Sequence, residues 1–292
     1  MATARKEAAL AMRKTDVVLE VLDARVPFSS RNPLVETMRL KHQRPALKIL
    51  NKADIADPAL TQKWLAFYNA QPSVQALALS AKQAGAVKRI PERALALAPH
   101  RAKPAKPLRI MILGIPNVGK STLMNALLKR NVTKVGDQPA LTKSQLGHQL
   151  GPHMWLVDTP GLIARELDQQ AALKLAATHS IGPNAYDPVE VAGELACYLR
   201  DHYGEQFQSR FPLENPGPSG QAIIAAIARS RSLLIKGGEP DLVRAARTLL
   251  GEFRDGTLGR ISLESPDALP EEPFESPGDP DDDVSEPPES ER

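Results

Sequence analysis

Nine consecutive residues, Gly114-Ile-Pro-Asn-Val-Gly119-Lys120-Ser121-Thr122, have the spacing of a phosphate-binding loop. Glycines there let backbone N–H groups close around phosphates. Lys120 is placed to meet the β and γ phosphates, the Ser121 hydroxyl to ligate Mg²⁺, and Asn117, Val118, Gly119 and Thr122 complete the expected nucleotide-binding set. A second motif, Asn51-Lys52-Ala53-Asp54, bears on the base. An Asp carboxylate offers two acceptors for guanine's ring N–H and exocyclic amine, and adenine presents no such pair of donors. The expected nucleotide is therefore GTP. In a third, Ser80-Ala81-Lys82, loop amides and the Ser80 hydroxyl can back the base. In Asp158-Thr159-Pro160-Gly161, Asp158 is expected to hold Mg²⁺ through water and the Gly161 N–H to sense the γ-phosphate. Thr142, within Gly136-Asp-Gln-Pro-Ala-Leu-Thr142, is the expected switch ligand of Mg²⁺, with Thr133, Ser144 and Thr159 as competing loop hydroxyls. Lys120, Thr142 and Gly161 then form the catalytic set, and Ser121, Thr142 and Asp158 the metal set.

The elements around these motifs must bring them to one place. Apolar runs rich in Val, Ile and Leu predict buried parallel strands at Asp16 to Leu22, Ala46 to Leu50, Val74 to Leu79 and Leu108 to Leu113. Each ends in a polar, loop-like motif. Met154 to Val157 reads as a fifth strand and Gln145 to Leu150 as a weaker sixth. Helical stretches at Asn32 to Leu40, Leu60 to Asn69, Ala86 to Leu97 and Ser121 to Lys129 alternate with them, as in a doubly wound α/β domain. Beyond Gly161 only helix-period spacing remains, at Arg165 to Ala177, Pro188 to Tyr203, Gly220 to Leu234 and Pro240 to Arg254. The expected organisation is an α/β P-loop G domain over 1–164, a small all-helical domain over 165–264 and a disordered acidic tail over 265–292.

The order of the motifs is unusual, because the base-reading N-K-A-D and S-A-K precede the P-loop and D-T-P-G. The pattern resembles a circularly permuted GTPase. Chain ends of a compact domain often lie close enough to be rejoined by a surface loop, and the basic segment Pro99 to Pro107 would be that join. Within the permuted group, Asp16 to Pro33, G-I-P-N-V-G-K-S-T-L-M-N and the later F-R-D-G-T-L-G-R-I-S-L-E resemble the bacterial ribosome biogenesis GTPase A family, also called YlqF, over residues 1 to about 264. The resemblance implies GTP-driven late maturation of the large ribosomal subunit. Its partners would be the subunit precursor and ribosomal RNA, with the protein a monomer off the ribosome. Two features depart from the family. Ala140 stands where the switch usually has glycine, removing backbone freedom. Family members also usually begin with a W-F-P-G-H-M-like segment, so Met1 is expected to be an internal or misassigned start. Asn117 matches the asparagine with which potassium-activated GTPases help hold K⁺, the alternative being a loop-stabilising role. Leu162 stands where many GTPases carry a water-orienting Gln, and so a nucleotide-gated RNA-binding module with vestigial hydrolysis is a second reading.

Composition agrees with a nucleic-acid partner. The 292 residues carry a net charge of +3 that hides an asymmetry. From Leu263 onward twelve acidic residues face Arg292 alone, −11, which leaves +14 on the rest, enough to favour a polyanion. That stretch is also rich in proline and poor in apolar groups, the composition of disorder. No stretch is apolar enough to span a membrane and no signal-peptide core is present, so a cytoplasmic protein is expected. The single Cys197 can form neither an internal disulfide nor a Cys-based zinc cage. Among lesser candidates, Asp23 and Arg25 read either as a loop touching nucleotide or RNA or as a local ion pair. His148 and His153 read as surface residues, with a water-orienting base as the alternative, and Lys236, Arg244 and Arg247 as a docking face or a solvated one.

Overall fold

A computed structural model describes residues 2–83, 85–132, 147–157 and 168–269. Its first half alternates helix and strand: α1 (Ala2–Arg13), β1 (Val17–Asp23), α2 (Pro33–Lys41), β2 (Ala46–Asn51), α3 (Pro58–Asn69), β3 (Val74–Ala78), α4 (Arg89–Leu97), β4 (Leu108–Leu113), α5 (Lys120–Val132), β5 (His148–Gly151) and β6 (Met154–Val157). Local chemistry sets the starts of α2 and α3. Asn32 and Asp57 accept backbone N–H groups at the N-caps, with Pro33 and Pro58 at the first helical positions, where a missing N–H costs nothing.

The sheet order is β3-β2-β1-β4-β6-β5. Every pairing is parallel except β5 on β6, which is antiparallel. Continuous apolar strands fit a sheet covered on both faces. Val17, Leu19, Val21, Leu47 and Ile49 pack with Ile90 and Ala94 of α4 and Leu123 and Leu127 of α5. On the other face Val18 and Met111 meet Met12 of α1 and Val35 and Met38 of α2, while Leu22 and Leu50 meet Trp64 and Tyr68 of α3. Glu20 and Lys48 interrupt these apolar runs, yet both are buried. They face each other in register and pair at 2.8 Å, which satisfies the requirement that a buried charge be paired.

This topology is that of a permuted G domain. Strands preceding β4 in the chain lie on one side of it and strands following it on the other. The N-K-A-D and S-A-K loops therefore sit beside the P-loop although they come earlier in sequence. The basic join is a tight surface turn, with a bridge between Lys103 and Lys106 and a 2.7 Å ion pair from Arg101 to Asp16. The amphipathic α1, which sequence reading did not anticipate, buries Ala8 and Met12.

The second half consists of α6 (Gln169–Ala177), α7 (Pro188–His202), α8 (Gly204–Arg210), α9 (Gly220–Ser230) and α10 (Leu242–Asp255) around one apolar cluster. α7 and α9 cross so closely that a Cβ on Gly220 would come within 2.5 Å of the Gly193 backbone. The short α8 escaped the periodicity reading, since seven residues hold too few repeats to register. The helical cluster also takes in Val26 from the loop after β1 and contacts Ile115 of the P-loop, so the two halves share packing.

The chain then returns to the sheet. Ile261 N–H donates to Ile55 O, Leu263 N–H to Arg25 O, and Trp64 Nε1–H to Glu264 O. Residues 265–269, expected to belong to the disordered tail, are held in place. Ser265 accepts the Asp267 N–H over a turn at Pro266–Ala268, and Leu269 packs against the cluster around Trp64. A short polar segment can be ordered in this way when an existing apolar surface takes its one large side chain. The rest of the tail lies outside the described residues. Among the described residues no helix is long and apolar enough to cross a membrane.

Candidate functional site

In a parallel sheet the loops after neighbouring strands emerge at one edge, where ligands bind. Here the loops after β1, β2, β3 and β4 carry D-A-R, N-K-A-D, S-A-K and the P-loop. They enclose a cleft of about 280 Å³. Of the expected nucleotide-binding residues, Asn51, Lys52, Asp54, Ser80, Ala81, Lys82, Asn117, Gly119 and Thr122 line it. Ala53, Val118, Lys120 and Ser121 belong to the same loops without lining it. Thr142, Asp158 and Gly161 lie outside the described residues, as do Ala140 and Leu162.

Asn51 joins three of these loops. Its Nδ2 donates to Val118 O at 2.8 Å in the P-loop, and its Oδ1 accepts the Ala81 N–H at 2.9 Å. Its own carbonyl accepts the Ala24 N–H. Asn51 is buried, so a neutral amide using both ends of its side chain is the low-cost way to tie polar loops together. Gly119 holds φ +101°, and a Cβ there would collide with Asn51 Nδ2. The P-loop glycine and the asparagine of N-K-A-D therefore require one another. Asp54, by contrast, is exposed and makes no hydrogen bond or ion pair among the described residues. Its two acceptors remain available to a base edge.

Asp23 is engaged by Arg25, which itself lines the cleft, and by Lys52. Arg25 grips Asp23 with Nε at 2.9 Å and Nη2 at 2.8 Å, and Lys52 Nζ reaches the same carboxylate at 2.8 Å. Both Asp23 and Arg25 are buried. Burial pushes the Asp23 carboxyl up, but Arg25 and then Lys52 outweigh it and hold its pKa well below the usual carboxylate range. Asp23 and Arg25 thus form a buried ion pair that also fixes the Lys52 stem at the cleft.

Lys120 opens α5, and its ammonium donates to Gly114 O and, at 3.5 Å, to Ile115 O. Partial burial pushes its pKa down. Ser121 stands next in the first turn of α5, exposed and without a hydrogen-bond partner among the described residues. A free hydroxyl oxygen is the hard donor that Mg²⁺ takes, so this part of the expected metal set fits.

Sequence reading missed a further wall. Thr178 and His179, which follow α6, and Arg254 near the end of α10 also line the cleft. Asn117 Nδ2 donates to His179 O at 2.7 Å. Burial first, then Arg254 and Lys52, lower the His179 pKa. Nothing in the local sequence marks Thr178 or His179. Arg254 sits in the quoted F-R-D-G stretch, whose function spacing alone does not reveal. The neighbouring Arg260 supports the N-K-A-D loop, its Nε donating to Ala56 O at 3.1 Å and its Nη2 to Ala53 O at 3.0 Å. His148 is an exposed strand residue and His153 occupies the turn before β6. Neither lines the cleft.

Comparison with known proteins agrees with this geometry. A family model described as 50S ribosome-binding GTPase matches residues 109–191. Ribosome biogenesis GTPase A of Bacillus cereus is 35% identical over 280 residues, 93% of this chain and 94% of that protein. The protein of the same name from Priestia megaterium is 34% identical over 91% of this chain and 94% of its own length. Among solved structures, GNP-bound YlqF from Thermotoga maritima superposes with a TM-score of 0.64 at 26% identity, covering 91% of this chain and all of that one.

Proposed function

Because the chain belongs to the ribosome biogenesis GTPase A family, we propose that its cleft binds GTP and hydrolyses it slowly to time association with the maturing large ribosomal subunit. The observation that carries this reading is Asn51, whose side chain locks the P-loop and the S-A-K loop around a cleft lined by Asp54, which has no partner among the described residues. Asp54 reads the guanine edge, Ser80, Ala81 and Lys82 back the base, and Gly119, Lys120 and the first turn of α5 receive the phosphates. Ser121, with Thr142 and Asp158, would hold Mg²⁺, which when bound neutralises charge on the phosphate oxygens.

Asn117 fits a role in holding K⁺. Its amide nitrogen is committed to His179 O, which leaves Oδ1 as the free acceptor. The sheet half, residues 1–164, serves as the nucleotide switch and the helical half, 165–264, as the RNA-docking part. The +14 carried by residues 1–262 supports the choice of an RNA-rich partner in the cytoplasm.

The test is sedimentation with purified ribosomal subunits in a non-hydrolysable GTP analogue, GDP and no nucleotide. The expected result is co-sedimentation with the large subunit in the analogue alone. Equal binding in all three states would remove the switch. Leu162, which cannot hydrogen-bond a water, favours a second reading in which hydrolysis is vestigial. Turnover that stays at background in the presence of subunits would establish that one instead.

A further inference from the structure

One wall of the cleft comes from the helical half, and its backbone carries strain. His179 holds φ +68°, and among the residues of the cleft Lys52 at +62° and Asn117 at +59° share that left-handed conformation. Residues with a Cβ adopt it at a cost, and it persists where the surroundings over-determine it, often around a ligand. Here the surroundings act from two directions. Asn117 of the P-loop donates to His179 O. From the other side Arg254 donates through Nε to Ala177 O at 2.9 Å, and through Nη2 to Ala176 O and the Tyr186 hydroxyl at 2.8 Å each.

The charge of Arg254 is what its partners leave unanswered. Two carbonyls and a phenol are all neutral, and no carboxylate pairs with Arg254 among the described residues. Of the other cations lining the cleft, Arg25 and Lys52 share Asp23, while Lys82 is exposed on a loop and is not held as Arg254 is. Arg254 also keeps its Nη1 donors without a partner among the described residues. A partly buried, rigidly braced guanidinium with spare donors and no counter-ion is built to receive an anion, and phosphate oxygens match its planar fork. It offers donors only.

We infer that Arg254 is a phosphate-binding residue of the nucleotide site, contributed by the helical half, and that the contact from Asn117 to His179 keeps this wall seated on the P-loop. The inference rests on the reading of the cleft as a guanine-nucleotide site. It deepens that reading: the helical half is part of the site that senses the nucleotide, so its seating depends on the phosphates.

Titration calorimetry with guanosine, GDP and GTP on the full chain separates the possibilities. Arg254→Gln is expected to weaken GDP and GTP by about tenfold, the value of one charge-assisted contact, and to leave guanosine within about twofold. Asp54→Asn should weaken all three. Equal loss for guanosine and the nucleotides in Arg254→Gln, or no loss at all, overturns the role of Arg254 while leaving the nucleotide site intact. Failure of the unaltered protein to bind any of the three overturns the site itself. Because Arg254 also braces the end of α6, a second measurement uses the unaltered chain. GDP, but not guanosine, should shield Arg254 from phenylglyoxal, read by peptide mass spectrometry. Equal labelling in all conditions overturns the inference.

Discussion

The two walls of the cleft manage charge differently. On the strand-end wall Asp23 answers Arg25 and Lys52, and Asn51 spends both ends of its amide on neighbouring loops. That wall is preorganised, and it leaves Asp54 exposed at the cleft. On the helical wall Arg254 is braced by neutral groups and carries an unanswered charge, beside a strained His179. A wall whose loops are tied to one another sets where a ligand sits. An unsatisfied one responds to whether the ligand, and how much of its charge, is present.

The largest effect expected from breaking this contrast comes from Asp23→Asn. Removing a buried carboxylate strands Arg25 and Lys52 and should cost about 3–5 kcal/mol of stability, measured by urea unfolding. A loss under about 1 kcal/mol would mean that the strand-end wall does not depend on this pair. Acid probes the same group. Asp23 has a folded pKa below its unfolded value of about 3.9. Its stabilisation is therefore complete above that value and is lost as pH falls toward the folded pKa. Unfolding should steepen below about pH 4 in the unaltered protein and less so in Asp23→Asn.

Next in size, Asp54→Asn should lose about two orders of magnitude in GTP affinity, about 3 kcal/mol for a charge-assisted pair, and gain xanthosine triphosphate, whose edge suits an amide. Unchanged GTP binding would take Asp54 out of the base site. Gly220→Ala addresses the other wall from a distance. A methyl group 2.5 Å from the Gly193 backbone should loosen the helical cluster by about 2 kcal/mol, seen as a lower melting temperature. If the helical wall contributes to phosphate binding, GDP affinity should fall with it while guanosine affinity holds.

The smallest expected effect concerns cations. Turnover should be several-fold faster in K⁺ than in Na⁺, a gain of about 1 kcal/mol, and Asn117→Ala should abolish the difference. Equal rates in both salts would discard the cation role and leave Asn117 as the tie to His179.

Much of the strand-end wall was legible before any coordinates, for a local reason. N-K-A-D, S-A-K and the P-loop are short runs in which side-chain chemistry and turn geometry are set by adjacent residues, and each follows an apolar run that can only be a buried strand. Even the permuted order was readable, because it is a fact about sequence positions. The asymmetry of charge was equally a matter of counting.

Long-range packing decided the rest. The ion pair of Asp23 and Arg25 became visible only once Phe253 O, accepting from Arg25 Nη1 at 3.3 Å, and Lys52 were seen around it. Helix α8 was too short for its period to register, and Leu269 is ordered by a surface that residues around Trp64 create more than two hundred positions earlier. Thr178, His179 and Arg254 belong to no motif, since what makes them part of the cleft is the seating of one half of the molecule on the other. Sequence by itself determined which loops carry the residue types a guanine nucleotide would need, because that chemistry is written in neighbouring residues. Only the tertiary structure decided that a helical cluster would close the cleft, because contacts between residues far apart in the chain, such as Asn117 with His179 and Arg25 with Phe253, leave no local periodicity or spacing to read.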